Sequence, residues 1–137
     1  MPDNASPTVL VVDDSIDIRT MLRLWLERSG CRVVEAADGK QAVQVAVREH
    51  PALILMDLYL PELDGAVAAA RIRERAGLED VPIVAVSAYG ESGMGAQLSA
   101  DPQAAGFNEY VTKPFGPEKM AELLERYLRK SKRAPAR

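Results

Sequence analysis

The sequence predicts an α/β domain of the doubly wound kind, an open sheet of parallel strands with helices packed on both faces. Short β-branched runs alternate with longer stretches of helical periodicity, the pattern of parallel strands joined by crossover helices. The 137 residues make about one domain by length, enough to bury a sizeable core. No internal repeat interrupts the alternation.

Residues 1–7, "MPDNASP", lack a positive region followed by an apolar stretch, so no signal peptide is read there and a disordered leader is expected. The first strand, 8–13 or "TVLVVD", runs through branched apolar residues and stops on adjacent carboxylates, Asp13 and Asp14. Ile18, Met21, Leu22 and Trp25 then follow the i, i+3, i+4, i+7 spacing of a helix face, and Gly30 ends that helix. After a second strand, "RVVEAA", a second helix opens at Asp38. Its carboxylate can accept from free N–H groups while Gln41 takes the reciprocal capping-box position, and the helix stops before His50 and Pro51. The third strand is "ALILMD", the third helix the Ala-rich "GAVAAARIRERAG", 65–77, and the fourth strand "PIVAVS".

The next stretch, "YGESGMGAQLSADPQAAG", contains four glycines and a proline, so its helix is expected to be short or irregular and the segment mobile. "EYVTK" is the fifth strand. In the last helix Met120, Leu123, Leu124, Tyr127 and Leu128 form one apolar stripe, read as core, with Glu122, Glu125, Arg126 and Arg129 off it. The domain is therefore placed at 8–129, followed by a basic flexible tail, 130–137.

Hydrophobic residues at 47% and charged residues at 27% fit a globular protein in water, and a net charge of -3 gives no broad basic footprint, so direct nucleic-acid binding is not expected. No apolar run approaches the ~18 residues of a membrane span. Cys31 is the one cysteine. It fits a reducing, cytoplasmic setting and is read as a small buried hydrophobe, while His50 is read as a surface residue.

Polar groups collect where such sheets carry their chemistry, beyond the carboxyl ends of the strands. Asp13 and Asp14 end the first strand, Asp57 the third, Ser87 the fourth and Lys113 the fifth. Carboxylates ~4 Å apart repel by roughly 4 kcal/mol per pair at an effective dielectric near 20, and Lys113 alone offsets one charge. A hard divalent cation, Mg²⁺ above all, answers that need. Without sulfur or imidazole at these strand ends zinc and copper are disfavoured, and without a loop of spaced acids so is calcium. A metal, a lysine, a hydroxyl and a carboxylate nucleophile suit phosphoryl transfer, with an aspartyl phosphate as product. Asp57, an acid after "LILM" with no basic neighbour in sequence, is the hardest to explain as structural. Asp14 as a helix N-cap, Ser87 as a strand-end hydroxyl and Tyr110 as a core aromatic stay open.

"VVDDS", "MDLYLPELDG", "VSAYG" and "EYVTKPF" occur in the order and at the spacing of the response-regulator receiver domains of two-component signalling, which the chain resembles over about 8–129. The resemblance implies a flavodoxin-like three-layer sandwich with strand order 2-1-3-4-5 and about five helices. It makes Asp57 the phosphoacceptor, Asp13 and Asp14 the acidic pair holding Mg²⁺, and the Tyr59 backbone carbonyl a further ligand. Lys113 would pair with phosphoryl oxygens, the Ser87 hydroxyl would turn to bond them, and Tyr110 would be the aromatic switch that moves inward as Ser87 moves. It also implies a cis Lys113–Pro114 bond. The donor would be a sensor histidine kinase or a histidine phosphotransfer protein. A downstream protein would bind the face formed by 90–130, where a homodimer stays open.

Two departures stand out. Tyr59 and Tyr89 occupy places where many receivers carry smaller or more polar side chains, and are expected to restrict the hydrolytic water and lengthen the phosphoryl lifetime, a quantity read from acyl-phosphate decay. The stretch from Ser87 to Tyr110 is longer than the family's usual spacing. Two other classes remain: a pseudo-receiver scaffold acting without phosphorylation, and a Mg²⁺-dependent phosphohydrolase. The latter usually needs an acid two residues after the nucleophile, where this chain has Tyr59. Whether the chain is a stand-alone receiver or part of a larger regulator is left open.

Overall fold

Five parallel strands, β1 (Thr8–Val12), β2 (Arg32–Ala36), β3 (Leu53–Asp57), β4 (Ile83–Ser87) and β5 (Glu109–Thr112), form one sheet in the order β2-β1-β3-β4-β5. The computed structural model describes residues 6–58, 60, 62–87 and 106–129. Four helices lie among them: α1 (Ile16–Arg28), α2 (Gly39–Glu49), α3 (Gly65–Arg73) and α4 (Pro117–Leu124), the last continued by a π-helical turn, Glu125–Arg129. The irregular helix and the tail expected from sequence fall outside the described residues.

Strand alternation builds two cores. Leu10, Val12, Ile54, Met56 and Ala85 point to one face, under Ala42, Ala46, Ala68 and Ile72 of α2 and α3. Val9, Val11, Leu55, Val84, Val86 and Val111 point to the other, under Leu22 and Leu26 of α1 and Met120 and Leu123 of α4. Cys31 is buried in this second core, and His50 is an exposed C-cap at φ 47. β3 and β4 are buried along their whole length, as central parallel strands must be when helices cover both faces.

The helix starts follow the local chemistry. Ser15 caps α1, its Oγ accepting from Ile18 N–H at 3.3 Å, so Asp14 is not the cap. Asp38 caps α2 by accepting from Gln41 N–H at 2.7 Å, and Gln41 Oε1 reaches back to Ala37 N–H at 2.9 Å. Asp64 caps α3. That helix ends at Arg73, four residues short of the 77 expected, because its following N–H groups bond three residues back, Arg75 to Ile72 at 3.0 Å and Leu78 to Arg75 at 3.0 Å, and Gly77 turns the chain at φ 84. Arg73 holds that corner. Its guanidinium donates to the carbonyls of Gly106 (2.8 Å), Val81 (2.8 Å) and Glu79 (3.1 Å) and to Asn108 Oδ1 (2.9 Å), while Asn108 Oδ1 also accepts from Ile83 N–H at 2.9 Å. One side chain thus ties α3 to the entries of β4 and β5.

Two glycines allow close packing near the carboxyl ends of the strands. A Cβ at Gly39 would lie 1.8 Å from the Leu63 carbonyl oxygen, and one at Gly65 would lie 2.5 Å from the Asp57 carbonyl oxygen. α4 is fastened to β5 through Glu109, which accepts from Tyr127 Oη at 2.8 Å and from Arg126, with Lys119 Nζ at 3.7 Å. Burial pushes Glu109 up, but the Tyr127 and Arg126 hydrogen bonds and the Arg126 and Lys119 charges outweigh it and hold the carboxyl below its usual range. The Tyr127 hydroxyl is pushed up to about 12, by burial first and then by its bond to Glu109. Tyr127, expected only as part of the apolar stripe, also carries this polar clamp.

Candidate functional site

Strand order reverses between β1 and β3, neighbours in the sheet that the chain leaves in opposite directions, and a crevice opens at such a switch point. The register puts the predicted residues around it. Val12 pairs with Met56, so Asp13 and Asp57 are next in line on adjacent strands. Asp57 pairs with Val86 and Ser87 with Thr112, which brings Lys113 one residue beyond. Alternation sets the faces: Asp13, Asp57 and Lys113 share the parity of the residues facing α1 and α4, and Ser87 that of the residues facing α2 and α3.

The three acids converge. Asp13, Asp14 and Asp57 each offer a carboxylate oxygen within 4.8 Å of the others. Asp13 and Asp57 are buried and Asp14 is exposed, an arrangement with an inner pair and an open side. Lys113 Nζ donates to Asp13 Oδ2 at 2.7 Å and to Asp57 Oδ2 at 3.2 Å. Burial works against the ammonium, yet the hydrogen bonds and charges of Asp13 and Asp57 prevail and raise its pKa above the ordinary lysine value. The all-oxygen donor set of three carboxylates, too many for the one ammonium beside them to offset, fits a hard divalent cation such as Mg²⁺.

The frame around Lys113 is fixed from both sides. Lys113 N–H donates to the Ser87 carbonyl at 2.8 Å, the Lys113–Pro114 bond is cis as the resemblance implies, and Phe115 meets Trp25 of α1 edge-to-face, centroids 6.3 Å apart. Ser87 is fully buried at the end of β4. Tyr110 is half-buried on β5 and packs against the core under α2 and α3. Its hydroxyl is buried and has no hydrogen-bond partner among the described residues. Tyr59 and Tyr89, and the segment 90–105 of the expected output face, lie outside the described residues.

Sequence reasoning missed Arg19. From α1 its Nη1 donates to the Asp13 backbone carbonyl at 2.8 Å and its Nε to Glu35 Oε1 of β2 at 2.9 Å, while Arg23 Nη1 takes Glu35 Oε2 at 2.7 Å. The signal was Glu35 itself, an acid at an inward position of "RVVEAA", opposite Val11.

Comparison with known proteins gives one family. The family model described as response regulator receiver domain matches residues 9–125. An uncharacterized 14.6 kDa protein encoded in the sodA1 3′ region of Leptolyngbya boryana is 38% identical over 126 residues, 90% of this chain and 91% of that protein. The transcriptional regulatory protein SrrA of Staphylococcus aureus is 33% identical over 126 residues, 92% of this chain but 49% of SrrA. The chain thus spans nearly all of the first relative and about half of the second. Among solved structures, the receiver domain of the sensor histidine kinase PA1611 from Pseudomonas aeruginosa, with a magnesium ion coordinated in its active-site cleft, matches with TM-score 0.80 and 35% identity over 89% of this chain and 97% of that one. The chemotaxis response regulator CheY4 of Vibrio cholerae matches with TM-score 0.79 and 29% identity, covering 90% of this chain and 99% of that one.

Proposed function

The chain belongs to the response-regulator receiver domains, and from that membership we propose that Asp57 is the residue that accepts the phosphoryl group. The donor is the phosphohistidine of a histidine kinase or of a histidine phosphotransfer protein, the partners of this family, and the working compartment is the cytoplasm. The observation that carries the assignment is the Lys113 ammonium bridging Asp13 and Asp57 inside a cluster of three carboxylates.

An Asp57 carboxylate oxygen attacks phosphorus, an O–P bond forms, the P–N bond to the donor imidazole breaks, and the imidazole leaves with the bond's electron pair. Asp13, Asp14 and Asp57 would hold Mg²⁺, and the family resemblance adds the backbone carbonyl of Tyr59, a residue outside the described ones, as a further ligand. The chemistry that ion supplies is neutralisation of charge on the donor and acceptor oxygens. Lys113, already poised between two acids, exchanges its Asp57 contact for a phosphoryl oxygen, and the Ser87 hydroxyl donates to another. Tyr110 follows Ser87, its unpartnered hydroxyl leaving the ring no hydrogen bond to break among the described residues.

Output is a population shift toward a state recognised by a downstream protein on the face that includes β5 and α4. Moving such an equilibrium from 1:99 to 99:1 takes ~5.5 kcal/mol of differential stabilisation, within reach of a dianion that makes several charge-assisted bonds in one state only. Receiver domains are signalling domains, and the chain assists only its own phosphorylation and dephosphorylation.

Mass spectrometry after treatment with acetyl phosphate and Mg²⁺ tests the assignment. Wild type gains a single phosphate and Asp57→Ala gains none. No adduct on wild type would favour a scaffold that works unphosphorylated, and sustained turnover of a generic phosphomonoester would favour a phosphohydrolase.

A further inference from the structure

We propose that Arg19 is a positioning residue for the metal-holding acids, an inference that rests on the Mg²⁺ site proposed above. Every hydrogen-bonding group of Asp13 is engaged. Its N–H donates to the Ala36 carbonyl at 3.2 Å, Oδ1 accepts from Ser15 N–H at 2.9 Å, Oδ2 accepts from Lys113, and its carbonyl accepts from Arg19 at 2.8 Å. The last of these belongs to the peptide plane joining Asp13 to Asp14, so a guanidinium on that oxygen fixes the orientation in which both acids leave the strand.

Arg19 can do this because its own position is fixed. Glu35, projecting from β2 toward α1, takes Nε at 2.9 Å, and the fork of the guanidinium spans the two acceptors at once. Its side chain is only 14% exposed. Arg23, one turn on, binds the other oxygen of Glu35 and has no hydrogen bond to Asp13, which makes it a control of equal charge on the same helix face and the same partner.

The sign of the effect separates positioning from electrostatics. On charge alone, deleting a cation close to three carboxylates tightens Mg²⁺ binding; deleting a brace that orients the ligands weakens it, typically by about tenfold or more for a partner one layer behind a metal ligand. Isothermal titration of the full chain with MgCl₂ therefore compares wild type, Arg19→Ala, Arg19→Lys and Arg23→Ala, with circular dichroism to check the fold. Arg19→Ala is expected to bind Mg²⁺ about tenfold more weakly and Arg23→Ala as wild type does. Arg19→Lys, whose single ammonium cannot serve both acceptors, falls between and carries the comparison if Arg19→Ala does not fold. Affinity in the Arg19 variants that equals Arg23→Ala, or exceeds wild type, overturns the inference while leaving the metal site intact. A wild type that takes up no Mg²⁺ overturns the site itself and the brace with it.

Discussion

Replacing Lys113 by Met removes the one cation hydrogen-bonded to both Asp13 and Asp57 among the described residues, and the distances set the size of the loss. At an effective dielectric near 20, ion pairs of 2.7 and 3.2 Å are worth about 6 and 5 kcal/mol before desolvation, and carboxylate oxygens no more than 4.8 Å apart repel by at least about 3.5 kcal/mol per pair. Attraction and repulsion are of similar size with the lysine present; without it that attraction is lost. Removing one partner of a buried pair typically costs about 3–5 kcal/mol, and the exposure of Asp14 to water and the 19% exposure of Lys113 place this case near the lower end. Lys113→Met is thus expected to lose about 3 kcal/mol in guanidinium unfolding with EDTA present. Saturating Mg²⁺ supplies a replacement charge, so the deficit shrinks. By linkage, recovering about 2 kcal/mol corresponds to Mg²⁺ binding roughly thirtyfold tighter than in wild type, measurable by isothermal titration. Phosphorylation by acetyl phosphate slows all the same, because the ammonium proposed to meet the phosphoryl oxygens is gone. Equal stability of variant and wild type in EDTA, or an unchanged Mg²⁺ affinity, would refute this reasoning.

Two further outcomes are expected. Gly39→Ala places a methyl 1.8 Å from the Leu63 carbonyl oxygen; overpacking of this kind costs about 1–3 kcal/mol in urea unfolding and displaces the connection between β3 and α3, so acetyl phosphate labelling also slows, whereas an unchanged midpoint would show that the connection yields freely. Glu109, whose folded pKa lies below the unfolded value of 4.5, contributes stability that is present above pH 4.5 and lost as pH falls through the folded value. Glu109→Gln should flatten that acid limb of the stability curve and bring the Tyr127 titration part of the way from about 12 back toward 10.0, read from phenolate absorbance; a wild-type acid limb in the variant would assign the limb to other groups.

Much of the fold was legible because strand and helix signals here are local. β1, β3 and β4 are β-branched or apolar runs whose ends fall within one residue of the sequence assignment, and Asp38 and Gln41 announced α2 through side chains that reach only their own first turn. The acids were legible because charge at the end of a buried strand has few structural uses. The features hidden from sequence depend on partners distant along the chain. Arg73 holds the corner after α3 by bonding carbonyls in two later connections, Tyr127 reads as apolar until β5 brings Glu109 to its hydroxyl, and Arg19 shows its use only once β2 lies beside α1. The first cap is a different case: from sequence Asp14 stays open as the cap, and the adjacent Ser15, whose side chain suits the position equally well, takes it.

The Lys113–Asp13 contact joins residues 100 positions apart, with the whole α/β winding between them. Parallel sheets dominated by such remote pairings form late, after the entropy of closing long loops has been met. During synthesis, therefore, Asp13, Asp14 and Asp57 emerge and can dock long before their lysine exists, and a chain halted ahead of β5 carries an uncompensated acidic hollow. Competence to receive a phosphoryl group arrives with β5, so the reactive centre reports that this sheet has been assembled.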